Sequence, residues 1–372
     1  MLKIHRWFIL LGLLFIVFIA LAVDFGEKRE SDSFKRWKDS FVQELQQSGI
    51  SDNTIKKFQD NAMFSQSVVD SYNTRVNNST YTVSVDEDTL LTAQIFYRDN
   101  KPWLEEEKEK NNVLPEVVVA MFAINSAFGE KMGDNSAINV LASLSFNPKS
   151  TDEYKPELLA FLMLVDRGYF DVNVMANNDG TMSYIGIRPT LYMLYGVDGN
   201  KDGIVDLFAT KEDIVATSFS LLKNLGLSMD SWGNEVSLPN TMDFQSRQGV
   251  RNLMTLDKWK DMGVASANDI PLPRDSRSSF LIILDGYARG VLLYNNFNVI
   301  FKTNGNVQRS LDILALSDKI SEYRNVLTYS EQNVKPVAKK PANESEASSK
   351  KKKPKKDDLP VPTKYKELEA IK

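Results

Sequence analysis

Apolar residues recur at helical spacing through most of the chain. The pattern starts at Phe34, Trp37, Phe41 and Leu45 and predicts helices across residues 34–75. Ser51 follows a Gly49-Ile50 break and is expected to cap the second helix. Further helices are predicted over residues 90–110, 116–128, 155–167, 211–227 and 310–323. Pro115 and Gly129 flank the most apolar of them, as expected for a helix start and stop.

Short continuous apolar runs replace the helical pattern toward the C-terminus. These runs predict strands at residues 280–284, 290–294 and 299–301. Two other segments lack a helical period: residues 77–88 are expected to form a loop or short strand, and residues 170–190 are rich in Gly, Asn and Asp. The sequence therefore predicts a mainly α (α+β) protein with a small β-containing part near the C-terminus.

The two ends of the chain differ from the part between them. Lys3, His5 and Arg6 precede an apolar run over residues 7–23, as in a signal anchor or signal peptide. Ala20-Leu21-Ala22 fits a cleavage site, whereas the length of the run favours an anchor. The basic flank predicts that residues 24–332 are exported. Residues 333–372 are predicted to be a disordered Lys/Pro-rich tail, either simply solvated or docked to a polyanion.

Composition excludes several kinds of chemistry. The 372 residues include no Cys and one His, which is His5 in the leader. Disulfides, thiol nucleophiles, Ser-His-Asp triads and His-ligated metals are therefore excluded from the exported part. Carboxylates, Lys, Tyr, hydroxyl groups and oxygen-ligated cations remain, and no organic cofactor is expected. The net charge of −4 argues against a nucleic-acid partner.

Residues 198–206 match the pattern D-x-N-x-D-G-x-x-D of a calcium loop. Ala209 stands where such loops carry a bidentate Glu, and Asp213 could complete the shell instead. A structural Ca²⁺ is therefore expected, against the alternative of an acidic turn without an ion. Its predicted ligands are Asp198, Asn200, Asp202, the Ile204 carbonyl, Asp206 and Asp213.

Several blocks in a fixed order carry a family resemblance. They lie at residues 34–51, 114–129, 141–144, 180–192, 198–213, 232–239 and 295–300. Residues 34–328 thereby resemble the membrane-bound lytic murein transglycosylase B family, which cleaves peptidoglycan glycan strands. The resemblance implies a lysozyme-like core over about 111–240, an additional helical lobe over about 34–110 and a C-terminal lobe over about 241–328.

The chain departs from the family pattern where the chemistry is expected. The family has approximately V-E-[ST]-x-[FY]-G after its apolar helix, and Asn125 stands at the position of the catalytic Glu. In the cleft segment, Tyr184 and Gly186 replace two Gln residues. The resemblance implies that the substrate cleft is lined by Asn125, Ser126, Met182, Tyr184 and Tyr192. Packing in the core is the alternative role for Asn125 and the two Tyr residues.

An amide at position 125 cannot perform the family's reaction. Glycan cleavage requires a proton for the leaving oxygen, and one carboxylate then takes a proton from the sugar's C6 hydroxyl. An Asn amide does not titrate in this way, so no catalytic residue is expected at this position. Glu130 is the fallback acid, although it lies beyond the helix stop at Gly129, and Asp134 and Asp179 are farther away.

Three functions follow from these observations. The first is a catalytically degenerate protein of the bacterial periplasm, anchored to the inner membrane by residues 7–23, that binds peptidoglycan glycan strands or scaffolds other cell-wall enzymes. The second is an active lytic transglycosylase with a displaced carboxylate. The third is a protein-interaction module whose cleft no longer binds sugar.

Overall fold

A computed structural model describes residues 32–76, 80–240, 243–268, 270–284 and 288–333. These residues form two compact units, 32–70 with 136–174 and 71–135 with 175–333. The leader and the tail after Asn333 lie outside the described residues. The division into three lobes made from the sequence stays a prediction.

Helices account for more than half of the described residues. They are α1 (32–47), α2 (Asp52–Asn61), α3 (Gln66–Val76), α4 (Glu87–Asn111), α5 (Pro115–Ser126), α6 (Ala137–Phe146), α7 (Thr151–Asp166), α8 (Pro189–Tyr195), α9 (Lys211–Asn224), α10 (Leu256–Asp261), α11 (Asn295–Asn304) and α12 (Val307–Asn333). The strands are β1 (Asn135–Ser136), β2 (Met175–Ala176), β3 (Gly233–Ser237), β4 (Met254–Thr255), β5 (Ala265–Ser266), β6 (Ser278–Ile283) and β7 (Arg289–Leu293). No described helix combines the length and apolar composition needed to cross a membrane.

Aromatic side chains organise the first unit. The Trp37 ring in α1 stacks on Phe34 and Phe41, with ring centroids 5.3 and 5.5 Å apart. Phe58 from α2 meets Phe41 edge-on at 5.6 Å. Phe146, at the end of α6, contacts Phe34 at 5.4 Å. Helix α2 begins where the sequence predicts, because the Ser51 hydroxyl accepts the Thr54 N–H.

A helix buried on all sides lies at the centre of the second unit. Helix α5 contacts both α4 and α12, and Ile124 is its one residue that is not fully buried. Pro115 occupies its first turn, where a missing N–H has no cost. A helix buried on all sides is expected to be apolar on every face rather than amphipathic. The sequence of α5 has this character. Helix α5 is therefore a fixed element of the core.

A buried ion pair joins the start of α5 to α12. Glu116 is 2% exposed, and its Oε1 lies 2.6 Å from Nη1 of Arg324. Burial raises the pKa of the Glu116 carboxyl, although Arg324 and Lys108 act to lower it. Removing one partner of such a pair leaves an uncompensated charge in the core. This contact therefore couples α5 to α12.

A five-stranded antiparallel sheet forms the β part of the same unit. Its strand order is β4-β6-β7-β3-β5. Leu281 pairs with Leu292 across β6 and β7, and Val236 in β3 pairs with Gly290. One face packs on Trp259 from α10, which is fully buried. The predicted strands at 280–284 and 290–294 are thus found with small shifts.

Three sequence predictions require correction. Residues 299–301 belong to helix α11 rather than to a strand, because the run lies between the start of the helix at Asn295 and a left-handed Gly305 with φ of 64°. Helix α5 ends at Ser126 rather than at residue 128, because Ala127 and Phe128 have left-handed φ values of 46° and 56°. Helix α9 ends at Asn224 rather than at residue 227.

Candidate functional site

The C-terminal end of α5 presents the residues at the candidate site. Ala127, Phe128 and Gly129 all have positive φ, with values of 46°, 56° and 90°. Two of them are not glycine, so the backbone holds roughly 1–2 kcal/mol of strain at each. Phe128 N–H donates to the Phe122 carbonyl, and Gly129 N–H donates to Ser126 Oγ at 3.1 Å. These bonds turn the chain sharply directly after Asn125 and Ser126.

Asn125 joins this helix end to the turn at residues 183–187 by a hydrogen bond. Its Nδ2 donates to the Ile185 carbonyl at 2.9 Å, and its side chain is 4% exposed. Its Oδ1 is buried and has no hydrogen-bond partner among the described residues. Gly186 packs so closely that a Cβ there would lie 2.4 Å from Asn125 Cβ. The amide therefore has a structural contact on one side and an unused acceptor on the other.

Ser126 makes the second contact to the same turn. Its Oγ lies 2.7 Å from the Tyr184 carbonyl and 3.1 Å from that of Phe122. The Tyr184 ring meets Phe122 edge-on at 5.0 Å. Burial raises the pKa of the Tyr184 hydroxyl, which has no hydrogen-bond partner among the described residues. Helix α5 and the turn thus form one packed unit.

Met182, Tyr184 and Tyr192 are all buried. Tyr192 Oη donates to the Val205 carbonyl at 2.6 Å and accepts the Leu207 N–H at 3.2 Å. Tyr192 therefore ties α8 to the segment that follows the acidic loop. The role of these three side chains as cleft residues stays a prediction.

A pocket of about 180 Å³ opens beside Asn125. Asp134 is the one carboxylate among the described residues that line it, and its side chain is exposed. Glu130 is also exposed but does not belong to the lining. The remaining lining residues are Ala123, Ile124, Asn125, Ser126, Ala127, Lys131, Gly133 and Asn177. The carboxylate that the structure brings next to Asn125 is therefore Asp134 rather than Glu130.

A second pocket, of about 280 Å³, shares Asp134 and Asn177 with the first. We call it the arginine pocket, and it is lined by Ser71, Tyr72, Arg75, Asp134, Asn135, Asn177, Asn178, Asp179, Asn306 and Arg309. Asp179 is 4% exposed, with Oδ2 at 2.8 Å from Nη1 of Arg309 and 3.9 Å from Nη1 of Arg75. Burial opposes ionisation of Asp179, but Arg309, Thr181, Arg75 and Arg188 together hold its pKa below the usual value.

Sequence reasoning missed the arginine pocket because its charged residues are far apart in the chain. Arg75 lies in the last turn of α3, Asp179 follows β2 and Arg309 lies in the first turn of α12. No spacing rule connects such positions. An acidic residue inside a Gly- and Asn-rich segment was the one available signal, and alone it indicates a turn.

The acidic loop at residues 198–206 is held by its own carboxylates. Asp198 Oδ2 accepts the Gly203 N–H at 2.8 Å, and Asp206 Oδ1 accepts the Phe208 N–H at 2.8 Å. Buried Asp213 closes the loop, because its oxygens accept N–H groups of Gly199 at 2.8 Å and Asp206 at 2.7 Å. Burial raises the pKa of Asp213, against these hydrogen bonds, which lower it.

The carboxylate and amide oxygens of this loop are ligands that suit a hard cation. In the structure, however, they are arranged as acceptors in a hydrogen-bonded turn. Nowhere in the described ranges do three or more Asp, Glu or His side chains form a group that could hold a metal ion. Asn200 Nδ2 donates to Asp202 Oδ2 at 2.8 Å, and the Ile204 side chain is exposed. A bound Ca²⁺ therefore stays a prediction that requires these carboxylates to turn.

Comparison with known proteins shows the class to which this chain belongs. The sequence of residues 33–318 matches the model of the transglycosylase SLT domain family, so the chain belongs to this family. The mainly α (α+β) fold class predicted from the sequence is confirmed, and the similar solved structures are lysozyme-like lytic transglycosylases.

Named relatives support this assignment. Membrane-bound lytic murein transglycosylase B of Escherichia coli K12 is 26% identical over 173 residues, which are 45% of this chain and 47% of the relative. The chain thus spans about half the length of the curated relative it matches. SltB3 of Pseudomonas aeruginosa, solved with NAG-anhNAM-pentapeptide, has a TM-score of 0.59 and 25% identity, covering 77% of this chain and 79% of its own.

Slt35 of Escherichia coli, solved with calcium, shares the fold. It has a TM-score of 0.61 and 19% identity, covering 79% of this chain and 94% of its own. The predicted resemblance to the lytic murein transglycosylases is therefore confirmed, and the chain is a lytic-transglycosylase-like protein.

Proposed function

We propose that this protein binds peptidoglycan glycan strands without cleaving them. The observation that supports this function is Asn125, an amide at the family's acid position whose Nδ2 is committed to the Ile185 carbonyl. An amide can donate to or accept from a sugar, but it cannot cycle a proton between a leaving oxygen and the C6 hydroxyl. Asn125 lines the small pocket at the end of α5, where a sugar could contact it. SltB3, which shares the fold, was solved with a glycan–peptide fragment.

One observation favours a second candidate function. Asp134 lines the pocket beside Asn125, so a carboxylate is present next to the family's acid position. A lytic transglycosylase with a displaced acid would use this residue. It would require Asp134 to reach the glycosidic oxygen, because a general acid acts within hydrogen-bond distance.

Purified sacculi separate the two candidate functions. The full-length protein is incubated with sacculi, and both the protein that co-sediments and the soluble 1,6-anhydro products are measured. We expect co-sedimentation without product release. Release at a rate comparable with that of the Escherichia coli transglycosylase would overturn the proposal. In that case Asp134→Asn should abolish release, while Glu130→Gln serves as the matched control on an exposed carboxylate outside the pocket.

The same assay tests the third function, that of an interaction module. A protein that neither sediments with sacculi nor releases products would have lost sugar binding. Asn125→Glu adds a further comparison, because release of products by this variant would mean that a glycan strand still seats at the end of α5. Failure of Asn125→Glu to act is expected if the Ile185 carbonyl keeps the new carboxyl from the sugar.

The proposal includes a cellular setting. We place the protein in the bacterial periplasm, held to the inner membrane by residues 7–23, where it presents glycan strands to other cell-wall enzymes. Support comes from the basic flank and apolar run of the leader. Fractionation of cells that express the full chain or a chain without residues 1–23 tests the anchor. Only the full chain should remain with the membrane pellet.

A further inference from the structure

A pocket of about 570 Å³ lies between strand β6 and the start of helix α11, within the second unit. We call it the α11 pocket, and the residues that line it include Asp230, Leu253, Asp275, Arg277, Phe280 and Tyr294. The proposed function makes no use of this pocket. The chemistry of its lining indicates what kind of ligand it would take.

One side of the α11 pocket is apolar. Met254 in β4 pairs with Ser279 in β6, so the neighbouring residues Leu253 and Phe280 come side by side. Leu253 is 55% exposed, and the Phe280 side chain is partly exposed. Covering such an apolar surface with another apolar group is favourable, because it removes the surface from water.

The other side of the pocket is acidic. Asp275 is exposed and forms a two-point ion pair with Arg277, with nitrogen–oxygen distances of 2.7 and 2.6 Å. Arg277 also lies over the Tyr294 ring, 5.2 Å from its centroid, so its position is fixed. Asp230 is exposed, and the lining holds no second cation for it. The lining therefore suits a ligand that combines apolar and cationic groups.

Charge is divided unevenly along the chain. Residues 32–333 contain 29 Lys or Arg and 40 Asp or Glu, whereas residues 334–372 contain 12 Lys and 6 Asp or Glu. The net charges of the two parts are therefore −11 and +6. Opposite charges of this size favour contact between the tail and the rest of the same molecule.

The tail carries its larger apolar residues near the C-terminus. Residues 338–358 include no Val, Leu, Ile, Met or aromatic residue, but Leu359-Pro360-Val361-Pro362 follows directly, and then come Lys364, Tyr365 and Lys366. A Pro-rich sequence of this kind favours the polyproline II conformation, which loses little entropy on docking to an aromatic-lined groove. Residues 359–366 thus combine the two kinds of group that the α11 pocket suits.

The chain between the pocket and this segment has a suitable length. Trp232, which follows the lining residue Ser231, donates from Nε1 to Asp318 Oδ2 in α12 at 2.8 Å. From Asp318 to Asn333 the helix extends about 22 Å. The composition of residues 334–358 predicts a disordered segment, with an end-to-end distance of roughly 25–30 Å. A linker that matches the span gives a tethered ligand its highest effective concentration.

We propose that residues 359–366 of the tail dock in the α11 pocket of the same molecule. The Pro-rich part covers Leu253 and Phe280, and the two lysines approach Asp230. Docking closes residues 334–358 into a loop on the second unit. This inference goes beyond glycan binding and does not depend on it.

Disulfide trapping in the full-length protein tests this inference, because the chain contains no Cys of its own. Ser278→Cys places one thiol in the pocket lining, and Thr363→Cys places the other in the tail. Ser237→Cys is the matched control, because Ser237 is also an exposed strand residue but lies outside the lining. We expect the Ser278 pair to form an intramolecular disulfide roughly 10-fold faster than the Ser237 pair, since the two Cβ atoms must come within about 4.5 Å.

Charge reversal separates docking at this pocket from a general attraction. Lys364→Glu with Lys366→Glu should slow trapping of the Ser278 pair roughly 10-fold, because the new carboxylates face Asp230. Lys339→Glu with Lys340→Glu changes the net charge of the tail equally and should slow trapping by less than about twofold. Equal slowing by the two double variants overturns the inference.

Two other outcomes would also overturn it. One is equal trapping rates for the Ser278 and Ser237 pairs. The other is a disulfide that forms only between two molecules, which would mean that the pocket receives the tail of a second copy. Non-reducing electrophoresis at low protein concentration distinguishes the two kinds of disulfide. Thermal melts of the reduced variants establish folding, and if Ser278→Cys is not folded, Ser231→Cys supplies a thiol in the same lining.

Discussion

The side-chain amide of Asn125 donates a hydrogen bond to the main-chain carbonyl of Ile185, with 2.9 Å between nitrogen and oxygen. This bond is buried and joins the last turn of α5 to the turn at residues 183–187. An ionised carboxylate has no proton to give to that carbonyl. The contact is therefore specific to an amide or a protonated acid.

Asn125→Asp should consequently destabilise the protein in a pH-dependent way. We expect a loss of about 1–3 kcal/mol in the free energy of unfolding at neutral pH, because a buried acceptor loses its donor. Burial and the facing carbonyl raise the folded-state pKa of the new carboxyl. The loss is thus absent below the unfolded-state pKa and grows as the pH rises through the folded-state pKa. Urea unfolding across a pH series measures it.

Asn252→Asp is the matched control for this substitution. Asn252 Nδ2 donates to the Gln248 carbonyl at 2.9 Å, but the residue is exposed. Water can replace a donor there, so little change is expected. A similar loss in both variants would mean that the Asn125 bond has no special role in stability.

The close approach of Gly186 to Asn125 gives a second prediction. Gly186 has φ of 63°, and a Cβ there would lie 2.4 Å from Asn125 Cβ. We expect Gly186→Ala to lower the free energy of unfolding by roughly 2–5 kcal/mol, from left-handed backbone strain plus overpacking. Gly168→Ala isolates the backbone part, because Gly168 has φ of 78° and nothing within 4 Å of its added Cβ. Equal thermal shifts for the two variants would contradict the close contact.

The buried Asp179 gives a prediction about acid stability. Its pKa is held below the ordinary value of an aspartate, so its stabilising contribution is present above the unfolded-state pKa and is lost as the pH falls through the folded-state pKa. We expect Asp179→Asn to cost about 3–5 kcal/mol at neutral pH, because it leaves Arg309 and Arg75 without their anion. The difference from the unmodified protein should shrink in acid.

Unfolding by urea at several pH values checks this behaviour. Asp60→Asn is a suitable control, because Asp60 is 57% exposed and pairs with Lys56 on the surface. Exposed pairs contribute little to stability, so its curve should follow that of the unmodified protein. A difference between Asp179→Asn and the unmodified protein that persists unchanged in acid would contradict the ionised state of Asp179.

Calcium binding at the 198–213 loop gives a fourth prediction. If Asp198 and Asp202 turn from their backbone partners to a cation, Ca²⁺ should raise the melting temperature, because a ligand that binds only the folded state stabilises it. Asp202→Asn should abolish the shift while keeping a side chain that can still accept the Ile204 N–H. Mg²⁺ should have a smaller effect, since it demands a tighter octahedral shell. An unchanged melting temperature in Ca²⁺ would contradict the predicted site.

Helix starts that are set by a single residue could be predicted from the sequence. Ser51 and Pro115 mark helix starts that the structure contains, because capping and a fixed φ act within one turn. The end of α5 could not be read in this way. Its left-handed Ala127 and Phe128 donate their N–H groups to the Ala123 and Phe122 carbonyls. Neither is the Gly or Asn that usually marks such a helix end in a sequence.

The apolar run at residues 299–301 illustrates a second limit. A short run of this kind is compatible with a strand or with a buried helix, and the period alone does not distinguish them. Gly305 was the available signal for the helical interpretation. At the site, the family pattern located Asn125, but Arg75, Asp179 and Arg309 come together through tertiary packing alone.

The bond between Asn125 and Ile185 also bears on the history of such a site. A mutation that placed a carboxylate at position 125 would break the buried hydrogen bond to Ile185 before any new activity could be selected. Changes in the 183–187 turn would first have to supply another partner for the Ile185 carbonyl. A single substitution of Asn125 by an acid would thus lower the stability of the fold unless the turn changed as well.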